Sequence, residues 1–322
     1  MPELNLLQQI VDSVYDAHKS NRDGAVASYI PELAKADPEA FGIAITTIGN
    51  QTVTAGDVDV DFSIQSVSKP FVYGLALEEF GVEAVDRHVG NEPSGESFNA
   101  IELNPETRLP FNPMINAGAI SVSGMIYDAF GADSRDRILR LFSELSGGTV
   151  AIDESIYESE MATAARNRAL AYLMQSVGSF DEPVEEKLSA YFSQCSALVN
   201  ARKLSMMAAT LANIGTHPAT GQTVYSPLSV RRMLSVMFTC GMYDFAGRWA
   251  VEVGLPAKSG VSGCVMAVVN RQIGIGIWSP RLDAHGNSVR AIGACRDLAE
   301  ELGLHAFEFS NRGSSILSMY IE

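Results

Sequence analysis

The amino-acid sequence predicts an α/β protein of the α+β type, in which one central, mostly antiparallel sheet is built from both ends of the chain. Two observations predict this arrangement: strand-like runs lie near both termini, and a long series of helical runs lies between them. Such an order favours one sheet with an inserted helical region. The chain of 322 residues is 47% hydrophobic, which is enough for a sizeable core in one large domain or two closely packed ones.

The amino-terminal region predicts a helix followed by two strands. Apolar residues between positions 6 and 15 recur at helical spacing. Residues 41–49 and 58–64 have the composition of strands, and Gly49-Asn50 is a plausible turn after the first of them.

The carboxyl-terminal region predicts a hairpin and a last helix. Residues 261–270 and 273–280 read as strands, and the short connection Arg271-Gln272 favours a β-hairpin between them. Residues 288–303 then form a helical stretch.

The middle of the chain predicts helices, because four segments carry apolar residues at helical spacing and several end in glycine. These segments are residues 136–148, 163–178, 184–199 and 201–215. We therefore predict a sheet region formed by residues 1–65 and 225–322, a helical region formed by residues 66–224, and an active site between them. Residues 89–118 are rich in Pro, Gly and Asn and predict a long connection of the kind that often carries function.

The charge balance argues against two classes of partner. A net charge of −15 repels phosphate backbones and anionic lipids, so we expect neither nucleic-acid nor membrane partners. No apolar run reaches about 18 residues, the length of a membrane-spanning helix. The amino terminus lacks the basic start and apolar block of a signal peptide, which favours a cytoplasmic location.

The cysteines and histidines indicate a reducing compartment and no metal site. The four cysteines are far apart and form no CxxC pair, so we expect four buried free thiols. The five histidines show no metal-binding spacing with each other or with cysteine. We therefore expect no metal and no cofactor.

Ser66 and Lys69 form the first candidate catalytic pair. Pro70 is tolerated only in the first turn of a helix, so a helix should begin between Ser66 and Lys69. Residues three apart share a helix face, which lets the Lys69 amine reach the Ser66 hydroxyl as its base. The positive potential of a helix amino terminus would favour the neutral, basic form of that lysine. Alone, the pair could equally be a serine cap beside a solvated lysine.

A second motif gives this pair more weight. Lys258, Ser259 and Gly260 stand immediately before a predicted strand. Serine acyl enzymes of the penicillin-binding and β-lactamase type combine an S-x-x-K helix start with a late K-[ST]-G strand. The N–H groups of such a strand can complete an oxyanion hole beside the nucleophile.

Six segments together resemble the serine-dependent glutaminase family, in its compact bacterial form. They are QSVSKP, FNPMINAGAI, ESEMATAARNRALAYLM, YFSQCS, CGMYDFAGRWA and VGLPAKSGVSGCV, and the match runs from about Tyr29 to the last strands. The resemblance implies a serine β-lactamase-like fold and hydrolysis of L-glutamine to L-glutamate and ammonia through an acyl-enzyme. It also implies a homodimer or homotetramer.

The resemblance also implies a role for each residue of the site. Ser66 is the expected nucleophile, Lys69 its base and Tyr243 the relay of the proton to ammonia. The N–H groups of Ser66 and Val261 would hold the oxyanion, with Lys258, Ser259 and Gly260 in support. Residues expected to bind the amino-acid head group are Tyr29, Asn116, Glu160, Asn167, Tyr191 and Tyr243, with Glu160 meeting the α-ammonium group.

Other interpretations remain open at this stage. Taken singly, Asn116 could be a turn residue, Glu160 and Asn167 ordinary surface groups, and the three tyrosines core or rim aromatics. Two other functions fit the same motifs: another acyl hydrolase of the β-lactamase or D,D-peptidase type, or a non-catalytic amino-acid sensor. The sequence does not decide whether Lys69 or Tyr243 is the dominant base.

Overall fold

A computed structural model of the chain describes residues 2–95 and 100–308. The strands are β1 (Ala25–Val26), β2 (Gly42–Thr47), β3 (Thr52–Gly56), β4 (Phe62–Ser63), β5 (Leu198–Val199), β6 (Ala257–Ser259), β7 (Cys264–Val269), β8 (Ile273–Trp278) and β9 (Arg281–Leu282). The helices are α1 (Pro2–His18), α2 (Ser68–Phe80), α3 (Val82–Asp86), α4 (Asn116–Phe130), α5 (Ser134–Ser146), α6 (Glu154–Thr163), α7 (Ala165–Ser176), α8 (Val184–Cys195), α9 (Ala201–Ala212), α10 (Pro227–Cys240), α11 (Ala246–Glu252) and α12 (Val289–Glu301).

The main sheet joins the two ends of the chain, as predicted. Its five strands run in the order β3-β2-β8-β7-β6, and all neighbours are antiparallel. Strand β2 from the amino-terminal region pairs directly with β8 from the carboxyl-terminal region, with Ile43 opposite Ile277. The predicted hairpin is confirmed as β7 and β8, joined through Arg271 in a left-handed conformation.

One predicted strand was wrong. The strand that pairs with β2 is β3, Thr52–Gly56, and not residues 58–64. The alternating valines of the predicted segment suggested a strand, yet Val60 is exposed and the chain leaves the sheet at Gly56, which has a φ of 73°. Within that segment only Phe62–Ser63 forms a strand, β4, which pairs with β5. The same pairing explains why the predicted helix 184–199 ends at Cys195.

Two hydrophobic cores lie on opposite faces of the sheet. Strand β7 alternates between them: Cys264, Met266 and Val268 belong to one core, and Val265 and Ala267 to the other. The first core packs against α2, α5, α9 and α10, and the second against α1 and α12. Because both faces are covered, β7 and β8 are buried along their whole length and read as continuous apolar runs.

Helix α9 packs directly on the sheet, over two glycines of β8. A Cβ atom at Gly274 would lie 2.1 Å from the Ala209 nitrogen, and one at Gly276 would lie 2.6 Å from the Ser205 nitrogen. Side chains at these positions would therefore push the helix off the sheet. On its other side α9 contacts α5, so it connects the sheet to the helical layer. The division into a sheet region and a helical region stays a prediction.

The predicted start of the catalytic helix is confirmed. A short 3₁₀ turn at Gln65–Val67 leads directly into α2 at Ser68, and Pro70 lies in the first turn of α2. The last predicted helix is also confirmed as α12, capped by the Ser288 side chain.

Two further predictions concern membrane-spanning helices and the cysteine thiols. Among the described residues, no helix has both the length and the apolar character needed to cross a bilayer. All four cysteines are free and buried, as predicted.

Candidate active site

A small cavity opens at Ser66, between the segment that follows the edge strand β6 and the helical layer. Its volume is about 110 Å³. Of the eight residues predicted to bind substrate, seven line its wall together, and Tyr243 is not among the lining residues. The seven are Tyr29, Ser66, Asn116, Glu160, Asn167, Tyr191 and Val261. They come from sequence positions up to 232 apart. The fold brings them to one place because the turn before α2, the segment after β6 and helices α4, α6, α7 and α8 meet there.

Ser66 occupies the 3₁₀ turn just before α2 and is almost fully buried. The residue before it, Gln65, has a φ of 50°, which is unusual for a residue with a side chain. Such strained backbone clusters at functional sites, where surrounding contacts hold it in place. Here the Ser68 hydroxyl donates a 2.6 Å hydrogen bond to the Gln65 carbonyl oxygen and helps to fix the turn.

Lys69 lies one turn further along, completely enclosed by protein. Its ammonium group donates hydrogen bonds to Asn116 Oδ1 at 2.7 Å and to the Met114 carbonyl oxygen at 3.3 Å. Burial lowers the pKa of Lys69 to about 8, although the nearby Glu160 carboxylate opposes this change. A lysine with such a pKa loses its proton close to neutral pH and can then serve as a base.

Asn116 is the centre of a hydrogen-bond network inside the cavity. Its Oδ1 accepts from Lys69 and, at 3.3 Å, from the Tyr191 hydroxyl, while its Nδ2 donates to Asn167 Oδ1 at 3.0 Å. The structure places Asn116 at the first position of α4, so the predicted connection 89–118 ends at residue 115. Asn116 is therefore a helical residue aimed into the site and not a turn residue.

Glu160 is buried in the wall of the cavity on α6 and is not a surface carboxylate. Gln65 Nε2 donates a 2.6 Å hydrogen bond to its Oε1. Burial raises the pKa of Glu160 to about 7, and the hydrogen bond from Gln65 and the charge of Lys69 limit the rise. A buried carboxylate with one amide donor is well suited to bind a cation entering the cavity.

Tyr243 approaches the nucleophile from a 3₁₀ turn between α10 and α11. Its phenol is hydrogen-bonded with the Ser66 hydroxyl, and it donates to the Ser259 carbonyl oxygen at 3.2 Å. Burial raises the pKa of Tyr243, whereas its hydrogen bond with Ser66 acts in the opposite direction. With a φ of 58°, Tyr243 is a second residue of the site with a left-handed backbone.

The sequence predicted that the Lys258-Ser259-Gly260 motif stands immediately before a strand. In the structure its first two residues are themselves part of the edge strand, and Gly260 directly follows it. Lys258 and Ser259 belong to β6, and β7 begins only at Cys264. A Cβ atom at Gly260 would lie 3.1 Å from the Ile64 carbonyl oxygen, so glycine lets β6 approach the turn that carries Ser66. Val261 follows directly and is buried in the cavity wall.

Tyr29 is placed differently from the other tyrosines of the site. Its side chain is 54% exposed, whereas Tyr191 and Tyr243 are buried. It therefore lies at the mouth of the cavity, where it can contact a bound molecule.

Sequence analysis missed Gln65, which orients Glu160 and shapes the turn at Ser66. It also missed Thr163 and Arg166 in the cavity wall. No spacing pattern marks these residues, because their importance comes from contacts across the fold. The position of Gln65 directly before the candidate nucleophile is the one available signal.

A protein-family model and curated proteins that resemble this chain are glutaminases. The family model described as glutaminase matches residues 24–307. A glutaminase from Trichormus variabilis is 48% identical over 302 residues, which cover 94% of this chain and 90% of the relative. A glutaminase from Agrobacterium fabrum is 46% identical over 307 residues, covering 94% of this chain and 98% of the relative.

Solved structures agree with this result. Mglu in its tris and glutamate form superposes with a TM-score of 0.90 at 44% identity, covering 94% of this chain and 67% of that protein. A protein described as the probable glutaminase ybaS gives a TM-score of 0.88 at 36% identity, covering 94% of this chain and 99% of that protein.

Proposed function

We propose that Ser66 forms an acyl-enzyme in the reaction that this chain catalyses. The chain belongs to the glutaminase family and hydrolyses L-glutamine to L-glutamate and ammonia. The fold is of the serine β-lactamase-like class, which is consistent with this chemistry. One observation carries the proposal: Ser66 lines a small cavity, the Tyr243 phenol is hydrogen-bonded with its hydroxyl, and the buried Lys69 lies one turn away.

In the first step, Ser66 Oγ attacks the side-chain amide carbon of glutamine and Lys69 accepts the hydroxyl proton. The N–H groups of Ser66 and Val261 stabilise the negative oxygen that forms. Collapse of this intermediate breaks the C–N bond, and the nitrogen leaves as ammonia with a proton delivered through Tyr243. Water then attacks the ester by the reverse proton path, which releases glutamate and restores Ser66.

The amino-acid head group is bound by the remaining residues of the cavity. The Glu160 carboxylate pairs with the α-ammonium group, and the amides of Asn116 and Asn167 provide further polar contacts. Tyr191 completes the wall inside the cavity, and Tyr29 completes it at the mouth. Each buried polar group of the site needs a hydrogen-bond partner on the substrate. The site therefore discriminates strongly against molecules that lack one of these partner groups.

The test is the release of ammonia from L-glutamine by the purified protein, with L-asparagine and D-glutamine as control substrates. Acid quenching during turnover, followed by mass spectrometry of the intact protein and its peptides, should detect one glutamyl group on the peptide containing Ser66. Ammonia release without any such adduct would argue for direct attack by water. Glutamine binding without ammonia release would instead indicate a sensor.

Replacing Glu160 by glutamine should raise KM for L-glutamine by at least about 30-fold, because losing one partner of a buried ion pair costs about 2–5 kcal/mol. The measurement is steady-state ammonia release at saturating and limiting glutamine. Glu158→Gln is the matched control, since Glu158 is an exposed carboxylate on the same helix. An unchanged KM in Glu160→Gln would remove Glu160 from the binding site.

The value of kcat/KM should rise with pH in two steps. Glu160, with a pKa of about 7, must lose its proton to pair with the α-ammonium group, and Lys69, with a pKa of about 8, must lose its proton to act as a base. Both requirements act in the same direction, so activity falls as the pH drops below these values. A pH profile of kcat/KM measures this, and in Glu160→Gln the lower step should disappear. A profile that is flat between about pH 6 and 9 would contradict both assignments.

We also propose that the protein is a cytoplasmic homodimer or homotetramer. The four buried free thiols are consistent with a reducing compartment. Sedimentation velocity of the purified protein tests the assembly, and a monomer at micromolar concentration would contradict it.

A further inference from the structure

The two N–H groups proposed to hold the oxyanion lie on two short turns from distant parts of the chain. Ser66 lies in the 3₁₀ turn that leads from β4 into α2. Val261 lies in a second turn, residues 260–263, which is closed by a 2.9 Å hydrogen bond between the backbones of its two end glycines. The two N–H groups can converge on one oxygen atom only if contacts fix these turns relative to each other.

The side chain of Trp278 contacts the supports of both turns. Its indole N–H donates a 2.9 Å hydrogen bond to the Ser262 carbonyl oxygen, in the middle of the second turn. Its ring stacks on Phe62 of β4, with the ring centroids 5.1 Å apart and an angle of 13° between the planes. Because β4 leads directly to Ser66, Trp278 connects the segment that carries the nucleophile with the turn that carries Val261.

Trp278 is itself fixed by the main sheet. It is the last residue of β8, where it lies opposite Gly42 of β2 on one side and Cys264 of β7 on the other. Its side chain is buried. The next residue, Ser279, adds a contact, because its N–H donates to the Gly263 carbonyl oxygen at 3.0 Å. The end of β8 therefore holds the second turn at two points.

We propose that Trp278 is a positioning residue that keeps the two halves of the oxyanion hole aligned, through its hydrogen bond to Ser262 and its stacking on Phe62. This inference rests on the proposed function. An oxyanion hole is effective because its donors already point at the oxygen when negative charge develops. A turn released at Ser262 would let the Val261 N–H move away from that oxygen. The cost would be larger in the transition state than in the bound substrate, whose carbonyl oxygen carries less charge.

The test compares the wild type with Trp278→Phe, which keeps an aromatic ring against Phe62 and removes the indole N–H. For L-glutamine, kcat should fall about 10–100-fold, which is less than the 10²–10³-fold typical for deletion of an oxyanion donor, and KM should change less than about threefold. The second probe is a glutamine analogue whose side chain ends in a boronic acid, which forms a tetrahedral adduct with a serine hydroxyl. Its affinity should fall by about the same factor as kcat/KM, because the adduct places an oxygen in the oxyanion hole as the transition state does.

Trp249→Phe is the matched control. Trp249 is the other tryptophan of the chain and is also buried, and its indole N–H donates to the Leu255 carbonyl oxygen at 2.7 Å. It lies on α11 in the second core, away from both turns. Its replacement should lower the thermal unfolding temperature as Trp278→Phe does, because each loses one buried hydrogen bond. Both kcat and the affinity for the boronic acid should stay within about threefold of the wild type.

Three results would overturn the inference: a kcat of Trp278→Phe within about threefold of the wild type, a reduced kcat with unchanged affinity for the boronic acid, or an equal loss of kcat in Trp249→Phe. If Trp278→Phe does not fold, Phe62→Leu decides, because it removes the ring contact and keeps the indole N–H. In that variant kcat and boronic-acid affinity should both fall more than about threefold, and a smaller change in either one overturns the inference. Failure of the proposed function is distinguishable, because Ser66→Ala would then still release ammonia and bind the boronic acid as tightly as the wild type.

Discussion

Replacing Ser66 by alanine is expected to reduce ammonia release from L-glutamine by at least about 10⁴-fold, because the change removes the oxygen on which the proposed acyl-enzyme forms. The change removes one oxygen atom from a buried turn whose conformation depends on Gln65 and Ser68, so the fold should persist. Ammonia release measured at high enzyme concentration would give the residual rate. Circular dichroism and the affinity for L-glutamate would show that the cavity remains intact.

Ser205→Ala is the matched control for this experiment. Ser205 is also a buried, hydrogen-bonded serine, but it lies on α9 against the sheet and away from the cavity. Its loss should cost about 1 kcal/mol of stability and leave kcat unchanged. If Ser66→Ala keeps more than about a hundredth of the wild-type rate, the nucleophile is another group and the acyl-enzyme on Ser66 must be abandoned.

Lys69→Met is expected to lower kcat by about 10³–10⁴-fold, because it removes the proposed base for the Ser66 proton. The variant should also be more stable than the wild type at neutral pH. The pKa of Lys69 is about 8 in the folded protein against a usual 10.5, so protonated Lys69 destabilises the folded state by about 3 kcal/mol below pH 8. This penalty disappears as the pH rises from about 8 to 10.5, and methionine avoids it at every pH. Thermal unfolding across this pH range measures the effect.

Lys69→Arg distinguishes the function of Lys69 as a base from the effect of its positive charge. Arginine keeps a positive charge near Glu160 and Asn116 but cannot lose its proton in proteins. It should therefore be nearly as inactive as Lys69→Met, although its affinity for glutamate should be closer to that of the wild type. Activity of either variant within tenfold of the wild type would show that Lys69 is not the base.

Sequence analysis predicted the parts of this protein that depend on local patterns. The start of α2 followed from Pro70, the hairpin β7–β8 from two apolar runs with a short connection, and α12 from helical spacing before Gly303. The residues of the cavity were predicted through family resemblance and not through spacing. Taken singly, Asn116 and Glu160 looked like a turn residue and a surface carboxylate, and only the folded chain shows them buried around Ser66.

The remaining features depend on contacts between distant residues. Residues 58–64 alternate like a strand, but β2 pairs with 52–56 because the chain turns back after only a few residues at Asn50. The left-handed backbone of Gln65 and Tyr243 is accompanied by contacts with distant residues, Glu160 and Ser259, and no sequence pattern marks it. The position of Lys258 over the Tyr243 ring likewise needs β6 to pair with β7 and to lie beside the turn after α10.

The two glycines of β8 have a consequence for how this protein unfolds. Because they seat α9 against the middle of the sheet while α9 also packs on α5, the helix belongs to the packing of both layers at once. Neither layer can lose its structure without exposing the apolar face of this shared helix. The chain should therefore melt as one cooperative unit, and partial opening that separates Ser66 from the edge strand should be rare on the timescale of catalysis.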